Sequence, residues 1–208
     1  MTGCGEGDRD GDDDTLAVDV VAIEAQPCSH PQHDRGLGVA VADGVVATAA
    51  HTVDGDLRAL TVDGAPAGVV ALDPRTDLAL VRADVGARPV APADDATAPI
   101  GPALVHLADG PHPVDVVRSG PLVVHDVTDR ARYRRLVHTF TPGVLPGASG
   151  APLTTTDGRL LGIVVLDRRD TDEAHAVTAG ELRALLADAG DGPAAAPDCP
   201  TKVVASGG

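Results

Sequence analysis

The chain has 208 residues and a formal net charge of −15, with 43% hydrophobic residues but only 1% aromatic ones. So acidic a surface repels phosphate backbones and anionic lipid, which argues against nucleic acid as a partner and leaves solubility as the plain reading of the charge. No run of about 18 apolar residues occurs, so no membrane span is expected.

Short β-branched apolar runs, 24 Gly and 17 Pro point to an all-β protein with many turns and a core of Val, Leu, Ala and Ile. The first segment, 1–14, is Gly/Asp-rich and reads as a flexible tether. Met1-Thr2-Gly3-Cys4 resembles the end of a bacterial lipoprotein signal, in which the cysteine of such a box is lipidated. A hydrophobic segment should precede the box, so two alternatives stand: an upstream start with a lipid anchor at Cys4, or chance likeness over four residues.

Residues 15–25 form an entry strand. The loop 28–34 (CSHPQHD) holds a Cys, two His and an Asp, but in no standard zinc spacing, so no metal site is expected. Strands at 37–42 and 45–48 flank Asp43-Gly44, a hairpin turn, and the second runs straight into Ala49-Ala50-His51. Strands at 57–63 and 66–72 follow, and DPRTDLALVRAD then places Asp77 at the head of another. Pro- and Ala-rich sequence over 88–102 reads as a linker.

The second half repeats the pattern, with strands at 103–108, 114–118, 121–126, 134–141 and 160–166 and a turn at Asp157-Gly158. Residues 178–189 make the one amphipathic helix, with Thr178 as N-cap and Leu182, Leu185 and Leu186 at helical spacing. The tail from 190 is Gly/Ala/Pro-rich and is expected to be poorly ordered apart from Cys199. In an oxidising compartment Cys28 and Cys199 would bond and close a long loop; in the cytosol both would be free thiols. Two similar runs of about six strands, a linker and a closing helix give an all-β fold. The expected architecture is two antiparallel six-stranded β-barrels side by side, over 15–97 and 98–189, with a C-terminal α-helix.

The candidate chemistry centres on TPGVLPGASGAPL, residues 141–153. A serine hydroxyl is a weak nucleophile at neutral pH and needs a base beside it and donors for the developing oxyanion. Gly147 allows a turn that would aim the amides of Gly147, Ala148 and Ser149 at one point. Each feature alone is ordinary: the loop as a turn, His51 as a core histidine, Asp77 as a strand-entry cap. Together, TAAH (48–51), DLALV (77–81) and PGASGAP (146–152) resemble the three signatures of the chymotrypsin-like (trypsin-fold) serine proteases. The resemblance covers roughly 16–188. It is best to the compact bacterial branch that includes the Deg-type and glutamyl endopeptidases, here without a PDZ-type domain. The order His, Asp, Ser also separates the chain from α/β-hydrolase esterases, whose order is Ser, acid, His.

The resemblance implies a His51–Asp77–Ser149 triad cleaving peptide bonds through an acyl-enzyme, without cofactor or metal. The partner is then a polypeptide substrate, and the protein is expected to be a monomer outside the cytoplasm, either secreted or held at the cell envelope as a lipoprotein. It also implies a pocket floor at Gly143, with no acid to attract Lys or Arg, and a strand Val164-Val165-Leu166-Asp167 that pairs with substrate. Val165, Leu166 and Asp167 would bind substrate, Leu166 lining the pocket and Asp167 standing at its rim, and a small or apolar residue is expected before the cut. His175 falls near where glutamyl endopeptidases place pocket residues, but reads more simply as a surface histidine. Two departures matter: Ala148 stands where zymogen-type relatives carry an activating Asp and Deg-type ones an Asn, and Ala151 replaces a glycine. Ala148 leaves open a second class of function, a catalytically silent protease-like module that binds a protein partner.

Overall fold

A computed structural model describes residues 18–93, 100–125, 132–144, 147–168, 171–189 and 194–199, with backbone alone at 125 and 166–168. The tether and Cys4 lie outside the described residues.

The first half supplies β1 (Val20–Pro27), β2 (Asp34–Ala42), β3 (Val45–Ala49), the short α1 (Ala50–Val53), β4 (Leu57–Val62), β5 (Ala65–Asp73) and β6 (Leu78–Ala83). The second supplies β7 (Gly101–Leu107), β8 (Gly110–His125), β9 (Arg132–Thr141), β10 (Pro152–Thr154), β11 (Leu160–Arg168), β12 (Glu173–Thr178) and α2 (Ala179–Ala189). Each set of six strands closes into an antiparallel barrel, in the order β1-β2-β3-β6-β5-β4 and β10-β11-β12-β9-β8-β7. Shifted by six strands the two neighbour patterns are identical, so the barrels share one topology.

Side-chain alternation sorts the apolar residues into three cores. Ile23, Val46, Leu60, Val62, Ala79 and Val81 fill the first barrel. Phe140, Leu153, Leu161 and Val164 fill the second, with Ala148 and Ala151 among them. Val39, Leu78, Leu80, Val137, Leu160, Ile163, Val177 and Leu182 form a third core that joins strands of both barrels to α2. Strand β6 belongs to two of these at once, Ala79 and Val81 inward and Leu78 and Leu80 toward the other barrel. That is why 78–81 is an unbroken apolar run and not an alternating one.

Two expectations need revision. The break expected at Ser119-Gly120 is absent: β8 runs on as one strand, with its register shift between Val116 and Arg118 instead. The tail is held by more than Cys199, because Ala195 and Val69 exchange both backbone hydrogen bonds, at 2.7 and 3.1 Å. Cys28 and Cys199 form a disulfide. Helix α2 begins where the sequence places it, with the Glu181 amide donating to Thr178 Oγ1 at 3.4 Å.

Candidate active site

The residues before β6 make a tight turn that stands on Asp73. Its carboxylate accepts from the Arg75 amide at 3.0 Å and from Thr76 Oγ1 at 3.1 Å, and its carbonyl accepts from the Asp77 amide at 2.9 Å. Burial would raise the Asp73 carboxyl, but these bonds and the Arg75 guanidinium hold it below its usual range. Asp77 itself closes the turn in the left-handed region, at φ 63°. In that conformation its carbonyl and carboxylate both face α1. The Ala50 amide donates to Asp77 O and the His51 amide to Asp77 Oδ1, each at 2.9 Å. Helix α1 has no side-chain cap of its own, so Asp77 satisfies its first-turn donors from across the barrel.

The same carboxylate reaches the imidazole. His51 Nδ1 lies 2.9 Å from Asp77 Oδ2, and on its far side His51 Nε2 lies 2.9 Å from Ser149 Oγ. The three residues, 26 and 98 positions apart pairwise, thus stand in one hydrogen-bonded line. The hydrogen bond to Asp77 raises the His51 pKa above 6.5; burial opposes it, the Asp77 and Asp34 charges reinforce it, and the Arg135 charge lowers it. Such a line can take a proton from a serine hydroxyl and hold the resulting imidazolium.

Ser149 is brought to His51 by glycines that let two main chains touch. Leu37 of β2 donates its amide to Ser149 O at 2.7 Å. A Cβ on Gly36 would lie 2.8 Å from that same oxygen, and one on Gly150 would lie 1.8 Å from Leu37 O. Thr48, fully buried, donates its hydroxyl to Leu37 O at 2.7 Å and fixes the other side of the contact. Gly147 has φ 99° and Gly150 φ 88°, both in the region that favours glycine. Ala148 is buried in the second barrel's core, so an apolar side chain suits that position.

The other residues singled out in the sequence fall around this line. The Gly143 amide donates to the Asp172 carbonyl at 2.9 Å and carboxylate at 3.1 Å, so an acid does stand beside that position, from a distant turn. The Val165 side chain is buried in the inter-barrel core, which leaves only its backbone to face a substrate. Val165 sits at a register shift between Val164 and Leu166. Strand β10 follows β11 only to Ile163, and Gly150 and Ala151 meet Val164; beyond it the edge carrying Leu166 and Asp167 has no strand on that side among the described residues. His175, expected at the surface, is 1% exposed and lies 3.0 Å from Thr139 Oγ1, because β12 runs between β9 and β11. Arg135, which carried no motif, reaches the Asp77 carboxylate. No group of acidic, His and Cys side chains suited to a metal occurs among the described residues.

Two closed barrels with a serine, a histidine and an aspartate aligned between them define a chymotrypsin-fold serine protease. The family model of the trypsin-like peptidase domain matches residues 36–163, and the chain belongs to that family. Among solved structures it is similar to the active form of the Rv3671c protease from M. tuberculosis, at 26% identity and TM-score 0.76 over 89% of this chain and 85% of that one. The inactive form of that protease matches at TM-score 0.68 over 82% and 88%, and the inactive form of its serine-to-alanine mutant at 0.66 over 84% and 88%, both at 26% identity. Among curated proteins nothing matches the chain.

Proposed function

We propose that the protein is a serine endopeptidase in which Ser149 attacks the peptide carbonyl, His51 takes its proton and passes it to the leaving amine, and Asp77 holds the imidazole in the required tautomer. An acyl-enzyme on Ser149 forms and is then hydrolysed by water with His51 as base. The amides of Gly147 and Ser149, either side of Ala148, stabilise the oxyanion. The observation that carries this reading is the pair of 2.9 Å contacts on opposite nitrogens of His51.

Substrate adds a strand along the open β11 edge at Val165, Leu166 and Asp167. Gly143 offers no side chain at the expected pocket floor, so a small or apolar residue before the cut is the preference proposed, with the Asp172 carboxylate beside it as the group that would favour Lys or Arg instead. The disulfide favours an extracytoplasmic setting.

A fluorophosphonate probe tests the reading. Wild-type protein is expected to be labelled on Ser149 and to cleave a denatured protein substrate, with both lost in Ser149→Ala. Folded wild type that takes no label would instead be the silent binding module. Label with ester but no peptide turnover would make it an esterase.

A further inference from the structure

We infer that Arg135, on β9 of the second barrel, is a positioning residue that holds Asp77 in line with His51. This rests on the reading of Asp77 as the triad acid. The position follows from strand alternation. Arg135 shares a face of β9 with Val137, which is buried in the inter-barrel core, so its side chain crosses to the first barrel. There its guanidinium meets one turn three times. Nε donates to the Arg75 carbonyl at 2.7 Å, Nη2 to the Pro74 carbonyl at 3.2 Å and Nη1 to Asp77 Oδ2 at 3.4 Å. Both side chains of the ion pair are close to buried, 12% exposed for Arg135 and 13% for Asp77.

The geometry has two effects. First, the turn before Asp77 exposes carbonyls, and a planar fork with fixed donors pins two of them together with the carboxylate. Second, Asp77 Oδ1 is held by the His51 amide while Oδ2 is shared between His51 Nδ1 and Arg135. The carboxylate plane therefore cannot rotate without losing a partner. The hydrogen bonds of Arg135 go to Arg75, Pro74 and Asp77 and none to Ser149, so its effect on the reaction runs through Asp77.

The titratable and charged groups around this contact are Asp77, Asp34 and Arg135 at His51, and Asp77, Asp73 and Tyr133 at Arg135. They give a test with opposite signs. If Arg135 were only a nearby positive charge, Arg135→Met would raise the His51 pKa. If it positions Asp77, the hydrogen bond that contributes most to raising the His51 pKa loosens, and the pKa falls toward 6.5. In Arg135→Met, kcat is expected to fall about tenfold to a hundredfold, the scale set by misplacing a reacting group by about 1 Å, with KM within about threefold of wild type. Arg135→Lys keeps the charge but not the fork and should recover only a minor part of kcat.

The His51 imidazole is titrated by NMR in the Ser149→Ala background with and without Arg135→Met, which needs no turnover. A fall in its pKa, with the kcat loss, supports the inference. An unchanged or raised pKa, or full kcat in folded Arg135→Met or Arg135→Lys, overturns it. If the Met variant does not fold, Arg135→Lys alone decides by the same two readouts. Inactive wild type would remove the triad reading, and a fallen His51 pKa would still establish the clamp.

Discussion

His51 is pulled two ways. Its hydrogen bond to Asp77 raises its pKa above 6.5, while burial and the Arg135 charge pull it down, and the first prevails. The proposed role of His51 as base needs the neutral imidazole, so under that proposal kcat/KM against pH is expected to rise along an acid limb whose midpoint lies above 6.5. A midpoint at or below 6.5, measured on a neutral substrate, would contradict the raised pKa. The sign for stability is the reverse. The charged His51–Asp77 pair adds stability in full below 6.5, the unfolded value, and that increment is lost as pH rises through the folded pKa. At this scale His51, Asp77 and Ser149 were legible because each lies in its own short motif. Arg135 was not, since a contact spanning 58 positions leaves no local pattern on an arginine in a strand. The burial of His175 was hidden for a similar reason: it depends on Thr139 of a neighbouring strand.

Among the elements, the short helix under His51 and the loop carrying Ser149 are both set by main-chain contacts that side-chain periodicity does not encode. Helix α1 has only four residues and borrows its cap from Asp77, which is why no capping signal precedes it in the sequence. The Ser149 loop depends on the close approach of Gly150 to Leu37. Gly150→Ala would put a methyl carbon 1.8 Å from a backbone oxygen and strain a residue at φ 88°, so the loop has to move off β2. The conformational part alone is about 1–2 kcal/mol. Fluorophosphonate labelling of Gly150→Ala is expected to fall at least about a hundredfold, since Ser149 leaves the reach of His51, while the β-sheet circular dichroism stays. Gly55 is the control. It has φ 89° but nothing within 4 Å of an added Cβ, so Gly55→Ala carries the conformational strain with labelling near wild type. Equal labelling of the two variants would show that the Gly150–Leu37 contact does not place the serine.

For the molecule as a whole, the two-barrel plan was legible because hairpin turns and short alternating strands recur in both halves, with a single helix closing the second. The shared third core was less so, since the sequence shows that 78–81 is apolar but not that its second face meets Leu160 and Ile163. The chain ends add a constraint of their own. Cys199 reaches back to Cys28 over a separation of 171 residues, and the segment before it lies along β5 through Ala195. The Cys28 amide also donates to Asp56 O at 2.9 Å, just beyond the helix that carries His51. Closing so long a loop restricts the unfolded chain far more than the folded one. The Cys28→Ser, Cys199→Ser double variant is therefore expected to lose about 2–5 kcal/mol of stability. For a chain of this size that is a drop in Tm of roughly 5–15 °C. Both sulfurs belong to partly exposed residues, so wild type melted with a reductant should match the double variant. Neither cysteine hydrogen-bonds to His51, Asp77 or Ser149, so turnover at 25 °C should persist while inactivation on heating quickens. A double variant melting with oxidised wild type would mean that the bond stores no stability. Loss of turnover at 25 °C in a folded variant would mean instead that the covalent tie holds the His51 helix in place.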